Sequence, residues 1–267
     1  MNTFADSMTM FRRYLLHLRR YPALSLYLIL TPVAFLLLFV YVFGGTLGSG
    51  IGGSAMAHLH AGGGRHAYVG YVAPGVLLLT IAGAASITAI AVAKDMTEGI
   101  IARFRTMAIS RTSVLTGHVL GGVVQIVAGV AIMIGLTIAV GFRPHASVAA
   151  WLGFAAIVLM LSVAVTWLGV AMGLAAKSIE TASNTPMILM FLPFLGSSFV
   201  PTGSMPSGLR GFADYQPFTP ANEAIRALLT GGHVGDRIWV TAAWCAGMAL
   251  LGFVWARASY QRDPTHQ

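Results

Sequence analysis

Three histidines, His58, His60 and His66, lie close together in a glycine-rich stretch of the sequence. Imidazole nitrogens commonly bind zinc or copper, so this cluster is the first candidate for chemistry. Its spacing matches no established metal motif, however, and histidines in such a stretch are more often simply polar residues. We therefore assign no metal site.

The usual catalytic motifs are absent from the sequence. It has no His-Glu-x-x-His helix, no Gly-x-Ser-x-Gly turn and no pair of carboxylates within its apolar segments. The nearest approach to a phosphate-binding loop, residues 173–178, lacks the glycine before Lys177. The lone Cys245 excludes an intramolecular disulfide and a cysteine-based metal cluster. These absences predict a chain that is not an enzyme and binds no cofactor itself.

The composition of the chain indicates the environment in which its elements fold. Hydrophobic residues make up 57% of the chain and charged residues only 9%, against roughly 25% charged in soluble domains. So little charge predicts a surface that faces lipid. The net charge of +8 comes from short groups of Lys and Arg between apolar runs, which does not indicate nucleic-acid binding.

Windows free of charge predict an all-α membrane protein, a single transmembrane domain over residues 1–267. Each window can hold the ~20 residues that cross a bilayer. The glycine-rich residues 44–66 make a poor helix and a plausible loop. We predict six spans, near 22–43, 70–92, 114–140, 150–173, 184–201 and 238–256. None of them contains Asp, Glu, Lys or Arg, which disfavours ion-coupled transport and intramembrane catalysis.

The distribution of Lys and Arg predicts the orientation of the spans. With a cytoplasmic N-terminus, eleven of these residues lie in inner segments and five in outer segments. This bias has the direction expected for inner loops. Both termini are then predicted to be cytoplasmic.

Residues 3–20 form the first segment outside the spans. An apolar stripe recurs at helical spacing on one side, at Phe4, Met8, Phe11, Leu15 and Leu18. Arginines occupy the other side. The pattern predicts a helix in the inner membrane interface, compatible with a simple topological anchor.

A second amphipathic segment, residues 98–110, connects the second and third spans. Its apolar face is formed by Ile100, Ile101, Phe104, Met107 and Ala108, and charges of both signs surround it. Such a helix suits docking to a partner's groove, or lying against lipid. The residues by themselves leave both interpretations open.

Residues 205–230, between the last two spans, predict a pair of short helices that re-enter the outer leaflet. Thr219, followed by proline, is a candidate N-cap, and Gly231 can end the second helix. Glu223 and Arg226 are three residues apart, so a surface ion pair between them is expected.

Three local sequences, taken in order along this topology, resemble one family. They are Tyr-Val-Ala-Pro-Gly at 71–75, the charged segment 95–111, and the run from Ser197 through Pro206 and Gln216 to Leu229. The arrangement resembles the permease subunits of type-2 ABC transporters, in particular the daunorubicin- and doxorubicin-resistance exporter-like branch. The resemblance covers nearly the whole chain.

The resemblance implies partners and roles. A separate ATP-binding subunit would bind ATP and Mg, and two copies of this permease would assemble. Small residues at 83–86, Gly121 and Gly122 suit close packing, either between copies or within one. The segment 98–110 would be a coupling helix, with contacts to the ATPase from Asp95, Glu98, Gly99, Ile101, Arg103, Phe104, Arg105 and Met107.

The expected function is ATP-driven export of a hydrophobic or amphipathic drug, antibiotic or lipid across a bacterial plasma membrane. The absence of converging polar residues within the spans agrees with such a cargo. Phe191, Phe194 and Phe199 are the candidates to line its path, and the alternative is that they face lipid or core. A membrane sensor or assembly factor that moves nothing is the rival hypothesis.

Overall fold

The computed structural model of the protein describes residues 22–44, 65–98 and 111–261. Every regular element in these ranges is a helix. The predicted interfacial helix 3–20 and the histidine cluster of the first loop lie outside the described side chains. The same is true of the coupling residues Gly99, Ile101, Arg103, Phe104, Arg105 and Met107.

Nine α-helices follow one another in the described ranges. They are α1 (Pro22–Leu37), α2 (Arg65–Thr97), α3 (Arg111–Val140), α4 (Val148–Ala175), α5 (Ile179–Asn184), α6 (Met187–Phe191), α7 (Ser207–Tyr215), α8 (Phe218–Thr230) and α9 (Arg237–Gln261). A π-helical stretch, Leu38–Phe43, prolongs α1, and a 3₁₀ turn, Thr202–Ser204, precedes α7.

Four helices in this part of the chain are long and apolar enough to cross a membrane. Their apolar lengths are Tyr68–Thr97, Leu115–Val140, Val148–Ala175 and Arg237–Tyr260, with mean hydropathies from 1.7 to 2.5. At ~1.5 Å per residue, each covers the ~30 Å of hydrocarbon in a bilayer. A shorter apolar helix, Leu28–Phe43, lies beside them. The chain therefore has the helices of a membrane-embedded bundle.

Helix α2 lies at the centre of this bundle. Its apolar stretch is 78% buried, whereas the other three long helices are only 22–39% buried. It packs against α1, α3, α4 and α8 and against the short helices α5 and α6. Helix α2 is therefore the element against which most of the other helices pack.

Two glycines bring α4 into backbone contact with α2. A Cβ on Gly169 would lie 2.8 Å from the carbonyl oxygen of Ala85, and one on Gly173 would lie 2.6 Å from that of Ala89. Apolar side chains gain little from contact with one another in lipid, so close van der Waals packing is the main attraction between helices. The Gly-x-x-x-Gly spacing on α4 permits that close packing.

Gly122 on α3 also packs within a single chain. A Cβ at this position would lie 2.7 Å from Cγ2 of Thr166 on α4. Gly122 therefore provides close packing between α3 and α4 inside one copy.

The segment 184–201, predicted as one continuous span, is broken in the structure. Helix α6 ends at Phe191, and the chain then runs through successive turns to residue 199. Pro193 follows almost at once, and proline has no N–H for the helical ladder and clashes with the carbonyl four residues earlier. The absence of charge that predicted a span here indicates apolar surroundings, which do not require a continuous helix.

Helices α7 and α8 form the predicted pair, with one correction at the start of α8. The helix begins at Phe218, whose N–H is accepted by Oε1 of Gln216 at 3.2 Å. Thr219 does not cap the helix, and its hydroxyl donates to the carbonyl of Ala213 at 2.5 Å. Gly231 ends α8 as predicted, in the left-handed conformation with φ of 77°.

We expect Gly173→Ala to destabilise the protein by about 1–3 kcal/mol, because the new methyl group forces α2 and α4 apart. Thermal unfolding of the purified protein in detergent measures the effect. Gly135→Ala on α3 is the matched control, since a Cβ there meets nothing within 4 Å. Equal melting temperatures for the two variants would contradict the close packing of α2 and α4.

Candidate functional site

A groove of about 360 Å³ lies between α1, α2 and the short helices α5 and α6. Its wall is mostly apolar, with a few uncharged polar groups. It is formed by Leu28, Thr31, Pro32, Leu79, Gly83, Ser86, Ile87, Ile90, Ser183, Asn184, Met187 and Met190. Apolar walls with a few polar groups are typical of sites that bind small organic molecules.

Two of the four polar side chains of the groove are neighbours on one short helix, and the other two, Thr31 and Ser86, lie on α1 and α2. Ser183 and Asn184 belong to α5, and Ile90 of α2 lies towards the same end, five residues before Asp95. The methionines Met187 and Met190 follow on α6, and unbranched thioether side chains adapt readily to differently shaped ligands. The arrangement suits a largely apolar molecule that also carries uncharged polar groups.

The three phenylalanines proposed to line the path occupy different environments. Phe194 and Phe199 stack on each other, with ring centroids 4.7 Å apart. Phe199 also stacks on Phe39 at 4.5 Å, and Phe194 meets Phe35 edge-on at 5.0 Å. This aromatic cluster joins the broken segment to α1 and its π-helical extension. Phe191 lies apart, directly after Met190 of the groove, and 53% of it is exposed.

Two of the predicted coupling residues fall within the described ranges, at the end of α2. Asp95 Oδ2 lies 3.3 Å from Nε2 of His118 on α3, and both side chains are largely buried. Glu98 instead lies 3.7 Å from Lys94 in a more exposed pair. Sequence reasoning did not identify His118, because a single histidine in an apolar helix carries no motif, and only the fold brings α3 against α2.

At the other end of α2, the carbonyl oxygen of Ser197 accepts three hydrogen bonds. The donors are the Tyr71 hydroxyl at 3.0 Å, Nδ2 of Asn222 at 3.0 Å and Nη2 of Arg226 at 2.8 Å. Arg226 also donates to the Tyr71 carbonyl at 3.1 Å, and its guanidinium carbon lies 3.9 Å from the centroid of the Tyr71 ring. These four residues, which we call the Ser197 node, join α2, α8 and the broken segment.

The node requires a correction to the predicted ion pair. Arg226 turns inward to the node, and Glu223 instead accepts from Nε of Arg237 at 3.0 Å. Spacing along a helix shows which side chains can meet, but here the Ser197 carbonyl offers Arg226 a partner that only the tertiary structure supplies.

Gly75 completes the contacts around the node. A Cβ at this position would lie 2.8 Å from both Cβ and the carbonyl oxygen of Ser198. The residues that carried the family resemblance at 71–75, 197–206 and 216–229 therefore meet in space, although more than a hundred positions separate the first from the second.

Comparison with known sequences decides the family. The family model described as ABC-2 type transporter matches residues 6–230. This chain belongs to the ABC-2 type transporter family. It is thus a membrane permease subunit of an ABC transporter.

Individual relatives of this permease bear the names of drug-resistance proteins. It is 27% identical over 244 residues to the daunorubicin resistance ABC transporter permease protein DrrB1 of Streptomyces coeruleorubidus, covering 90% of this chain and 81% of the relative. It is 22% identical over 178 residues to the probable doxorubicin resistance ABC transporter permease protein DrrC of Mycobacterium tuberculosis, covering 67% and 64%.

A third relative is a member of the ABC transporter G family. The permease is 25% identical over 193 residues to ABC transporter G family member 20 of Dictyostelium discoideum, covering 70% of this chain and 25% of the relative. The similarity to DrrB1 extends over most of both chains.

We expect Arg226→Met to destabilise the permease by about 1–3 kcal/mol, because the node loses the donor that serves two buried carbonyls. Thermal unfolding in detergent measures the loss. Arg210→Met is the control, since Arg210 is mostly exposed and its ion pair with Asp214 spans 3.7 Å. The importance of the node would be refuted if both variants unfolded at the same temperature.

Proposed function

We propose that this permease exports a hydrophobic or amphipathic molecule, and that the groove between α1, α2 and α5–α6 is where the molecule enters. The observation that carries the proposal is the lining of the groove, which combines apolar side chains with the uncharged polar groups of Thr31, Ser86, Ser183 and Asn184. A wall without formal charges does not compensate the desolvation of a multiply charged solute, whereas an apolar body with a polar end fits it.

Drug or antibiotic molecules are the substrates that the relatives favour. The names of DrrB1 and DrrC refer to resistance to daunorubicin and doxorubicin. A lipid with a small polar group has the same two-part chemistry and is the other candidate. Both would reach the groove from the cytoplasm or from the inner leaflet.

ATP hydrolysis in a separate subunit supplies the energy in this proposal. The sequence has no phosphate-binding loop, and the groove has no ionisable side chain that could couple transport to an ion gradient. ATP and Mg would be bound by the partner subunit. Residues 98–110 would dock to that subunit, with Glu98 at the start of the docking surface.

Six spans in a bacterial plasma membrane, with both termini in the cytoplasm, agree with the helices described. The six would be helix α1 with its π-helical extension, the four long helices and the broken segment 179–199. The Asp95 end of α2 is then the inner end, and the Ser197 node lies at the outer end. Helices α7 and α8 would re-enter the outer leaflet.

Two copies of the permease would enclose the path between them. The long helices α3, α4 and α9 expose apolar surface that lipid or a second copy must cover. Phe191 lies beside the groove and would contact the substrate first. Phe194 and Phe199, packed in the aromatic cluster, would line the path after the broken segment moves.

Blocking the groove tests the entry site. We expect Met190→Trp to lower ATP-dependent uptake of daunorubicin into inside-out vesicles about tenfold, since an indole fills the space that the substrate body needs. The vesicles contain the permease and its ATP-binding subunit. Ile188→Trp is the matched control, because Ile188 lies on the same helix, is 65% exposed and does not line the groove.

Uptake by Met190→Trp equal to that of Ile188→Trp would remove the groove from the path. If the wild-type complex assembles and hydrolyses ATP but moves neither daunorubicin nor a fluorescent phospholipid, the chain is a sensor or assembly factor.

The docking surface has its own test. We expect Glu98→Ala and Phe104→Ala to reduce co-purification of the ATP-binding subunit with the permease, since each removes a group from the proposed surface. Asp214→Ala, on α7 near the opposite end of α2, is the control and should leave co-purification unchanged. Normal assembly and normal ATP-driven transport in both docking variants would disprove the coupling-helix assignment.

A further inference from the structure

We infer that Asp95 and His118 are a positioning pair. The pair holds together the end of α2 and the start of α3, which we call the two stems of the coupling segment, and it does not itself contact the ATP-binding subunit. The inference rests on the proposed function, because it concerns how motion of residues 99–110 reaches the membrane helices. His118 has no role in the family resemblance described above.

The pair joins the helices on both sides of the segment. Asp95 lies two residues before the end of α2, and His118 lies seven residues after the start of α3. Seven residues are about two helical turns, or ~10 Å along the helix axis. The contact of 3.3 Å between Asp95 Oδ2 and His118 Nε2 therefore links the end of one stem to the interior of the other.

Burial distinguishes this pair from the neighbouring one. The side chains of Asp95 and His118 are 13% and 10% exposed, whereas those of Glu98 and Lys94 are 49% and 37% exposed. An exposed ion pair contributes little because water solvates both charges. A hydrogen bond between buried groups is shielded from competition with water, so separating Asp95 from His118 costs more than separating Glu98 from Lys94.

The side chain of Asp95 is therefore directed into the protein, which differs from the ATPase contact that the resemblance implied. Glu98, one turn further on, has the exposure that an intermolecular contact requires. Of the two carboxylates at the end of α2, that of Glu98 is exposed and can face a partner, whereas that of Asp95 is positioned to hold the stems.

An apolar cluster extends the link to two further helices. Val92 of α2 and Leu115 and Val119 of α3 are buried together with residues of α4 and α9, namely Val170, Ala171, Leu174, Ala256 and Tyr260. A force on the segment between the stems would then move α2 and α3 as one body and displace α4 and α9 with them. If the stems could separate, the same force would be absorbed by the stems and would not reach the groove.

The test compares two substitutions of one residue. Gln retains a donor near the position of His118 Nε2, whereas Leu removes it. We expect His118→Leu to lower the amount of daunorubicin moved per ATP hydrolysed about fivefold or more, with co-purification of the ATP-binding subunit unchanged. His118→Gln should restore most of the ratio, and Gly135→Ala, on the same helix and with nothing within 4 Å of the new Cβ, should leave it unaltered.

A second measurement on the permease alone avoids dependence on transport. Nitroxide labels at Thr97 and Leu120, both exposed, report the separation of the stems in a Cys245→Ala background. The distance distribution should be narrow in the wild type and in His118→Gln, and broad in His118→Leu. Asp95→Asn, which keeps the shape but weakens the charge-assisted bond, should broaden it to a smaller extent.

Several results would overturn the inference. They are a normal transport ratio in His118→Leu, an equally low ratio in His118→Gln, loss of co-purification in His118→Leu, or unchanged distances in all variants. If the wild-type complex moves no probe, the proposed function fails, and the label distances still decide whether the pair holds the stems.

Discussion

The carbonyl oxygens released where the chain leaves helical geometry between Phe191 and Pro201 must find donors inside the protein. In an apolar environment an unsatisfied backbone group costs several kcal/mol, so a break in a membrane helix is tolerated only where other groups provide hydrogen bonds. Here Gln216 donates to the carbonyl of Leu192 at 3.1 Å, and three side chains donate to that of Ser197. The rest of the architecture depends on this compensation.

This compensation determines how the helices pack at the end of the bundle that contains the Ser197 node. Helix α8 must lie against α2 and the broken segment, because Asn222 and Arg226 reach Ser197 only from there. The aromatic cluster then packs the same segment against α1, through Phe39 on Phe199. The short helix α6 precedes the break, and its residues Met187 and Met190 form part of the wall of the groove. The polar contacts at one end thus shape the apolar site further along α2.

Helix α2 connects this arrangement to the opposite end of the bundle. It is buried along most of its apolar length, it lines the groove through residues between Leu79 and Ile90, and it ends in the stem that carries Asp95. Because Gly169 and Gly173 bring α4 into contact with its backbone, α2 cannot shift independently of α4. A displacement at the Asp95 end would therefore reach the groove and the Ser197 node through packed helices.

The amino-acid sequence by itself determined the class of the protein and much of its outline. Charge-free windows predict apolar helices, since an apolar helix of about 20 residues is stable in lipid whatever its neighbours are. The run through Pro201, Gln216 and Arg226 supported the family, because local motifs are readable without knowing the fold. Tertiary structure alone decided which polar groups meet. Asp95 met His118, and Arg226 met Ser197 and not Glu223, because each partner comes from a distant part of the chain.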